Sequence, residues 1–282
     1  MAGIMGVSGS SPDTSAIGFC YYIFVDSNEN LYVSDDGNHR VIRYLSNSSS
    51  GMAGVVVAGD GTRGTSASQL SAPQGVFVNE AGTLYIVDSL NHRIQKWNNG
   101  ASSGVTVAGT RVSGNSLSEL SYPTGIVVDS NGYMYIVDYG NNRILRWPPN
   151  SNSGECIGAC TGVSGNGMDT LNYASALAFD SYGSLFVSDG SNNRVQKFQI
   201  LSGFDETSTT AMTTTAITTT AITTTAMTTT AITATDHTTS LEASSKSSGT
   251  HSSTIPISIA LLLWVLNDWN LSNFVLRLPV IQ

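Results

Sequence analysis

In a chain of 282 residues of which only 11% are charged, the stretch LYIVDSLNHRIQKW, Leu84 to Trp97, crowds Asp88, Asn91, His92 and Arg93 together. Aspartate, histidine and arginine are the types that move protons, hold metals or clamp anionic groups. The same cluster returns as Asp35, Asn38, His39 and Arg40, as Asp138, Asn141, Asn142 and Arg143, and as Asp189, Asn192, Asn193 and Arg194. Aspartate, asparagine and arginine keep their spacing in all four copies, whereas two copies replace histidine by asparagine. A reactive site needs a few unlike groups converging once. A group that recurs once per unit, with its imidazole dispensable, is architectural. No catalytic residue and no metal ligand is therefore assigned among these positions.

The elements that carry the cluster explain its recurrence. The four copies begin at Leu31, Leu84, Met134 and Leu185, a spacing of about 50 residues that is the size of a propeller blade. Within one unit, GVFVN, TLYIVD and HRIQKW have the alternation and the β-branched and aromatic content of strands, separated by the turn residues EAG and SLN. A fourth short strand follows, VTVAG at Val105 to Gly109 and VVVAG at Val55 to Gly59. Four short antiparallel strands per unit, with nothing at helical period, predict an all-β fold of four-stranded blades. The repeats lie near 20–59, 73–109, 123–160 and 174–204. Long loops such as TRVSGNSLSELSYPTG join them, and Pro73, Pro123, Cys20 and Ala174 share the position where each first strand starts.

On this reading the aspartate accepts N–H groups from the turn that follows it, and the arginine forks onto the carboxylate across the hairpin to set its register. Of the ten Lys and Arg between Met1 and Phe204, eight occupy two repeat positions: Arg40, Arg93, Arg143 and Arg194, then Arg43, Lys96, Arg146 and Lys197. Tyr44, Trp97, Trp147 and Phe198 close the third strands and are assigned to packing between blades.

With these residues in place, LYVSDDGNHRVIRY and its three companions resemble the NHL repeat, with Arg40 and Arg93 where the family name has leucine. The resemblance covers about residues 20–200. It implies a β-propeller, usually of about six blades, used mostly for binding. Its relatives include recognition domains of tripartite-motif ubiquitin ligases, extracellular parts of receptors and kinases, and the peptidyl-hydroxyglycine lyase. Fold alone does not select among these.

The chain divides into the propeller (1–204), a Thr/Ser-rich stalk or linker (205–253) and a hydrophobic tail (254–282). MAGI at Met1 to Ile4 aligns with the fourth strand of a blade, while the last copy has no VAG strand of its own. Either this stub completes the last blade, or upstream blades are missing and the ring is incomplete; the second alternative is favoured. The five-residue period of TTTAITTTAITTTAMTTTAI matches neither helix nor strand, and the tract is expected to be disordered and mucin-like. The apolar run IPISIALLLWVL is shorter than the roughly 20 residues of a membrane helix. Behind Ser247, Ser248 and Gly249 it has the layout of a lipid-anchor signal, and a mis-read terminal exon is its competitor. Cys156 and Cys160 can form a local disulfide in an extracellular chain, and Asn47 heads a glycosylation sequon on a loop.

The function expected from these features is a non-catalytic binding or scaffold propeller, extracellular or at the cell surface, or cytoplasmic if the tail is an artefact. A protein partner on one propeller face is expected, and the tail is the candidate for membrane attachment. The alternative is a substrate- or RNA-recognition module like that of the tripartite-motif ligases, without ligase activity because three cysteines cannot make a zinc domain. Between Met1 and Phe204, ten basic residues face fifteen acidic ones, which speaks against nucleic acid. A lyase-like metalloenzyme would need several converging histidines, and the repeats hold only His39 and His92. No cofactor is expected, and nothing in the sequence bears on the oligomeric state.

Overall fold

The computed structural model of the protein describes residue 9, residues 13–199 and residues 214–215. Four antiparallel sheets follow one another along the chain. Blade 1 holds β1 (Cys20–Val25), β2 (Leu31–Asp35), β3 (Arg40–Tyr44) and β4 (Val55–Ala58). Blade 2 holds β5 (Pro73–Val78), β6 (Leu84–Asp88), β7 (Arg93–Trp97) and β8 (Val105–Ala108). Blade 3 holds β9 (Ile126–Val128), β10 (Met134–Asp138), β11 (Arg143–Trp147) and β12 (Glu155–Gly158). In each sheet the strands pair in sequence order, the meander of a propeller blade.

Blade 4 holds β13 (Ala174–Phe179), β14 (Ser184–Asp189), β15 (Arg194–Gln199) and β16 (Thr214–Thr215). The fourth strand of this blade, which the sequence reading did not find after the last copy and gave to the N-terminal stub as one alternative, is formed by two threonines. Thr214 pairs with Phe198 and Thr215 with Lys197. Threonine is β-branched and suits a strand wherever a free edge is offered, and a periodicity argument does not see the edge. The stub Met1 to Ile4 and the tail 254–282 lie outside the described residues.

Apolar residues of facing blades form the core as interfaces between sheets. Trp97 ends β7 but packs among Tyr32, Val41 and Ala58 of blade 1. Trp147 packs among Tyr85, Ile94 and Ala108 of blade 2, and Phe198 among Tyr135, Ile144 and Ile157 of blade 3. Each of these rings is 1–2% exposed, so each blade is keyed into the one before it.

Between blades 4 and 1 the contact is thinner. There Tyr22 of β1 rests with Phe186 and Val195 against Ala176 and Ala178. The innermost strands β1, β5, β9 and β13 surround one cavity, so the four blades form a ring, against the favoured expectation of an incomplete one. Small residues let the inner strands touch. The Gly75 N–H donates to the Thr124 carbonyl at 2.8 Å, and a Cβ on Gly75 would sit 2.7 Å from that oxygen.

Candidate functional site

The aspartates of the repeat end β2, β6, β10 and β14 with 0% exposure. Their Oδ1 atoms accept the backbone N–H of Gly18, Ser71, Ser121 and Asn172 at 2.9, 2.7, 2.7 and 2.7 Å. Each donor lies 17 residues upstream, in the segment that leads into the blade. The expected bond from the following turn is not made: that turn is a single 3-10 turn, Asp36–Asn38 in blade 1 and its equivalents elsewhere, with no side-chain cap. The reason is geometric. The carboxylate points back across β1, β5, β9 or β13 to the entering chain, whose buried N–H has no strand partner.

The arginines depart from expectation in the same way. Only Nε of Arg40, Arg93, Arg143 and Arg194 meets its aspartate, at 2.7–2.8 Å. The outer nitrogens reach loop carbonyls instead: Arg93 binds those of Thr65, Ser66 and Gln69, Arg143 those of Asn115, Ser116 and Glu119, and Arg194 those of Asn166, Gly167 and Thr170. Arg40 binds the Asp13 carbonyl. The asparagines complete the tie, Asn91, Asn141 and Asn192 donating both to their aspartate and to Gly64, Gly114 and Gly165. In blade 1, Asn38 donates to Asp35 and to the Gly9 carbonyl. The cluster therefore fastens each blade to the long loop before it, where the sequence reading had it fix a hairpin. Leu70, Leu120 and Leu171, each 0% exposed, pin the far ends of these loops; the sequence reading missed them, although each stands three residues before the repeat position shared by Pro73, Pro123 and Ala174.

His39, His92, Asn142 and Asn193 follow the 3-10 turns with φ of 54°, 51°, 49° and 50°. Asparagine and histidine are enriched in this left-handed region, which explains why one replaces the other. Both histidines also reach the next blade: His39 Nδ1 accepts the Ala72 N–H at 3.2 Å and His92 Nδ1 the Tyr122 N–H at 3.1 Å. Burial holds the His92 imidazole below its usual pKa, in keeping with a neutral acceptor. Burial pushes the Asp88 and Asp138 carboxyls upward, with their asparagine, backbone and arginine partners acting against it. The four clusters stay with their own blades, and among the described residues no three His, Cys, Asp or Glu side chains are grouped to hold a metal ion.

The face that carries these turns holds a second recurring position that the sequence reading did not single out. Phe19, Tyr122 and Tyr173 each directly precede the repeat position held by Cys20, Pro123 and Ala174 and are 65%, 47% and 57% exposed. Tyr122 and Tyr173 have φ of 45° and 56°, a conformation that bulky residues rarely adopt. Tyr122 packs edge-on to His92 with centroids 4.6 Å apart, Tyr173 lies 5.3 Å from Tyr139, and Phe19 lies 6.3 Å from Tyr21. The signal was present as SYP and NYA at equivalent places in the repeat.

Cys156 of β12 and Cys160 just beyond it are joined as a disulfide, and Cys20 is free and exposed. Asn47 is exposed in the loop between β3 and β4. No helix of the described residues is long and apolar enough to cross a membrane.

These sheets and ties define a four-bladed β-propeller whose repeat unit is fastened by an Asp–Asn–Arg cluster. Residues 120–147, from Leu120 through β9, β10 and β11, match the family model of the NHL repeat; the other blades repeat the same strand order and the same tie, so the chain is a four-bladed β-propeller that carries an NHL repeat. A comparison with curated proteins found no match. Among solved structures, a structural genomics protein of unknown function from Bacteroides thetaiotaomicron is similar in fold, with a TM-score of 0.50 and 16% identity over 62% of this chain and 46% of that one. The crystal structure of a nidogen/laminin complex contains a chain with a TM-score of 0.48 and 17% identity over 65% and 60%. Virginiamycin B lyase from Staphylococcus aureus gives 0.42 and 13% over 76% and 59%. The chain thus spans less than two thirds of the length of each.

Proposed function

We propose that the protein is a non-catalytic binding propeller, extracellular or at the cell surface, that engages a protein partner through the face bearing Phe19, Tyr122 and Tyr173. The observation that carries this reading is the exposure of those three rings at one repeat position, two of them on left-handed backbone. A bulky residue held there costs about 1–2 kcal/mol, and backbone strain of this kind gathers at ligand clamps and other functional sites. Tyrosine is also enriched among the side chains that dominate binding energy at protein interfaces. The disulfide, the exposed Asn47 sequon and the Thr-rich composition support the extracellular part.

The test separates binding from folding. Replacing Tyr122 and Tyr173 by glycine, which accepts the left-handed backbone, and Phe19 by alanine is expected to change stability by less than about 1 kcal/mol per site, because relieved strain offsets lost ring contacts. The same triple variant is expected to lose at least tenfold in affinity for whichever partner the wild-type full chain captures from the cell exterior. Undiminished capture by the variant removes this face from the reading, and a chain that stays cytosolic without glycans removes the extracellular assignment.

A further inference from the structure

We infer that the cavity on the propeller axis is a binding site for a small uncharged aromatic molecule of single-ring size. The cavity measures about 180 Å³ and takes its walls from all four innermost strands, including Tyr22, Phe24, Phe77, Val127, Ala178 and Phe179, with no charged side chain among them. Its position follows from register. Phe24, Phe77, Val127 and Ala178 lie opposite Tyr32, Tyr85, Tyr135 and Phe186 on their second strands, so they stand at one level around the axis. One level closer to the Asp–Asn–Arg ties, the inner strands carry Gly75, Gly125 and Ala176, and there the backbones meet. The Gly75 N–H bonds across to blade 3 at 2.8 Å, and a Cβ on Gly125 would lie 3.0 Å from the Ser175 carbonyl of blade 4. Tyr22 holds the same level in blade 1 and fills the gap against Ala176 and Ala178. Close backbone contact at Gly75 and Gly125 thus draws the inner strands together at this level, and the cavity is lined at the next level by Phe24, Phe77, Val127 and Ala178.

The size and the walls select the occupant. An enclosed apolar cavity of about 150 Å³ takes up benzene, and this one is of comparable volume, with one side open to solvent through which a ring can enter. Here the walls are aliphatic and aromatic, and the free inner-strand edges supply only scattered backbone N–H and C=O groups. Phe24 and Phe77 meet edge-on at 5.3 Å on one side, and Phe179 stands edge-on to Tyr135 at 4.9 Å on the other. A planar ring between them finds both faces and edges, the arrangement aromatic rings favour. A carboxylate or ammonium would be desolvated without a partner.

The test uses the full chain, with toluene and p-cresol as probes and benzoate as the charged counterpart. Toluene or p-cresol is expected to shift the Ala178 methyl resonance saturably, to give intermolecular NOEs to it, and to raise Tm with concentration, while benzoate does none of these. Ala178→Phe, or Val127→Phe where the first variant fails to fold, fills the space and is expected to weaken binding at least tenfold. Absence of NOEs to the Ala178 methyl with both neutral probes near their solubility limits overturns the inference. So does binding that the filling variant leaves intact, or benzoate binding as tightly as toluene.

Discussion

At the scale of single residues, the Asp88–Arg93 pair shows what a charged cluster that recurs four times holds together. Both partners are 0% exposed, and the remaining lone pairs and N–H groups are spent on Asn91, the Ser71 N–H and three loop carbonyls. Such a network is costly to break at one member, because the survivor is left charged and buried. Asp88→Asn is therefore expected to cost about 3–5 kcal/mol in a urea melt. Arg93→Met in the same chain should recover part of that loss, since the unpaired guanidinium is then gone; a double variant no more stable than Asp88→Asn alone would contradict the pairing.

At the scale of elements, the turns between the first and second strands of blades 1 and 4 have a pH dependence set by hydrogen bonds. Burial works upward on Asp26 and Asp180, but hydrogen bonds outweigh it: Asn30, Asn28 and Tyr32 donate to Asp26, and Ser184, Lys197 and Tyr182 to Asp180. With the folded pKa below the unfolded value of 3.8, these carboxylates stabilise the fold above that value and lose the contribution as pH falls through the folded pKa. Denaturation midpoints measured from pH 6 to 2 should therefore drop less steeply for Asp26→Asn and Asp180→Asn than for the wild type. Strand ends matter through packing. Trp97 is 1% exposed and keys blade 2 into blade 1, and Trp97→Ala is expected to cost about 3–5 kcal/mol by chemical denaturation.

At the scale of the whole molecule, the ring is unevenly closed. Three interfaces are keyed by Trp97, Trp147 and Phe198, while the fourth relies on Tyr22 against two alanines, with Phe186 and Val195 beside it. Local opening begins where few apolar contacts hold neighbours together, so the seam between blades 4 and 1 is expected to open first. Tyr22→Ala should speed amide exchange in β1 and β13 by about tenfold, the equivalent of roughly 1.4 kcal/mol, and leave β6 and β7 unchanged. Uniform acceleration across all blades would show instead that the ring opens as one unit.

The sequence by itself determined the blade, because strand alternation, turn residues and a period near 50 are local properties that survive without knowledge of neighbours. It also singled out the Asp, Asn and Arg of each repeat, because their types and spacing recur in all four copies. Tertiary structure decided what those residues hold. The bonds run 17 to 28 residues back to the entering loop, a separation at which sequence spacing carries no directional information. Closure, too, lay beyond a local reading. The edge of β15 takes Thr214–Thr215 as a partner, and Tyr22 meets Ala176 and Ala178 from the opposite end of the fold, because both contacts depend on how the blades are arranged around the axis.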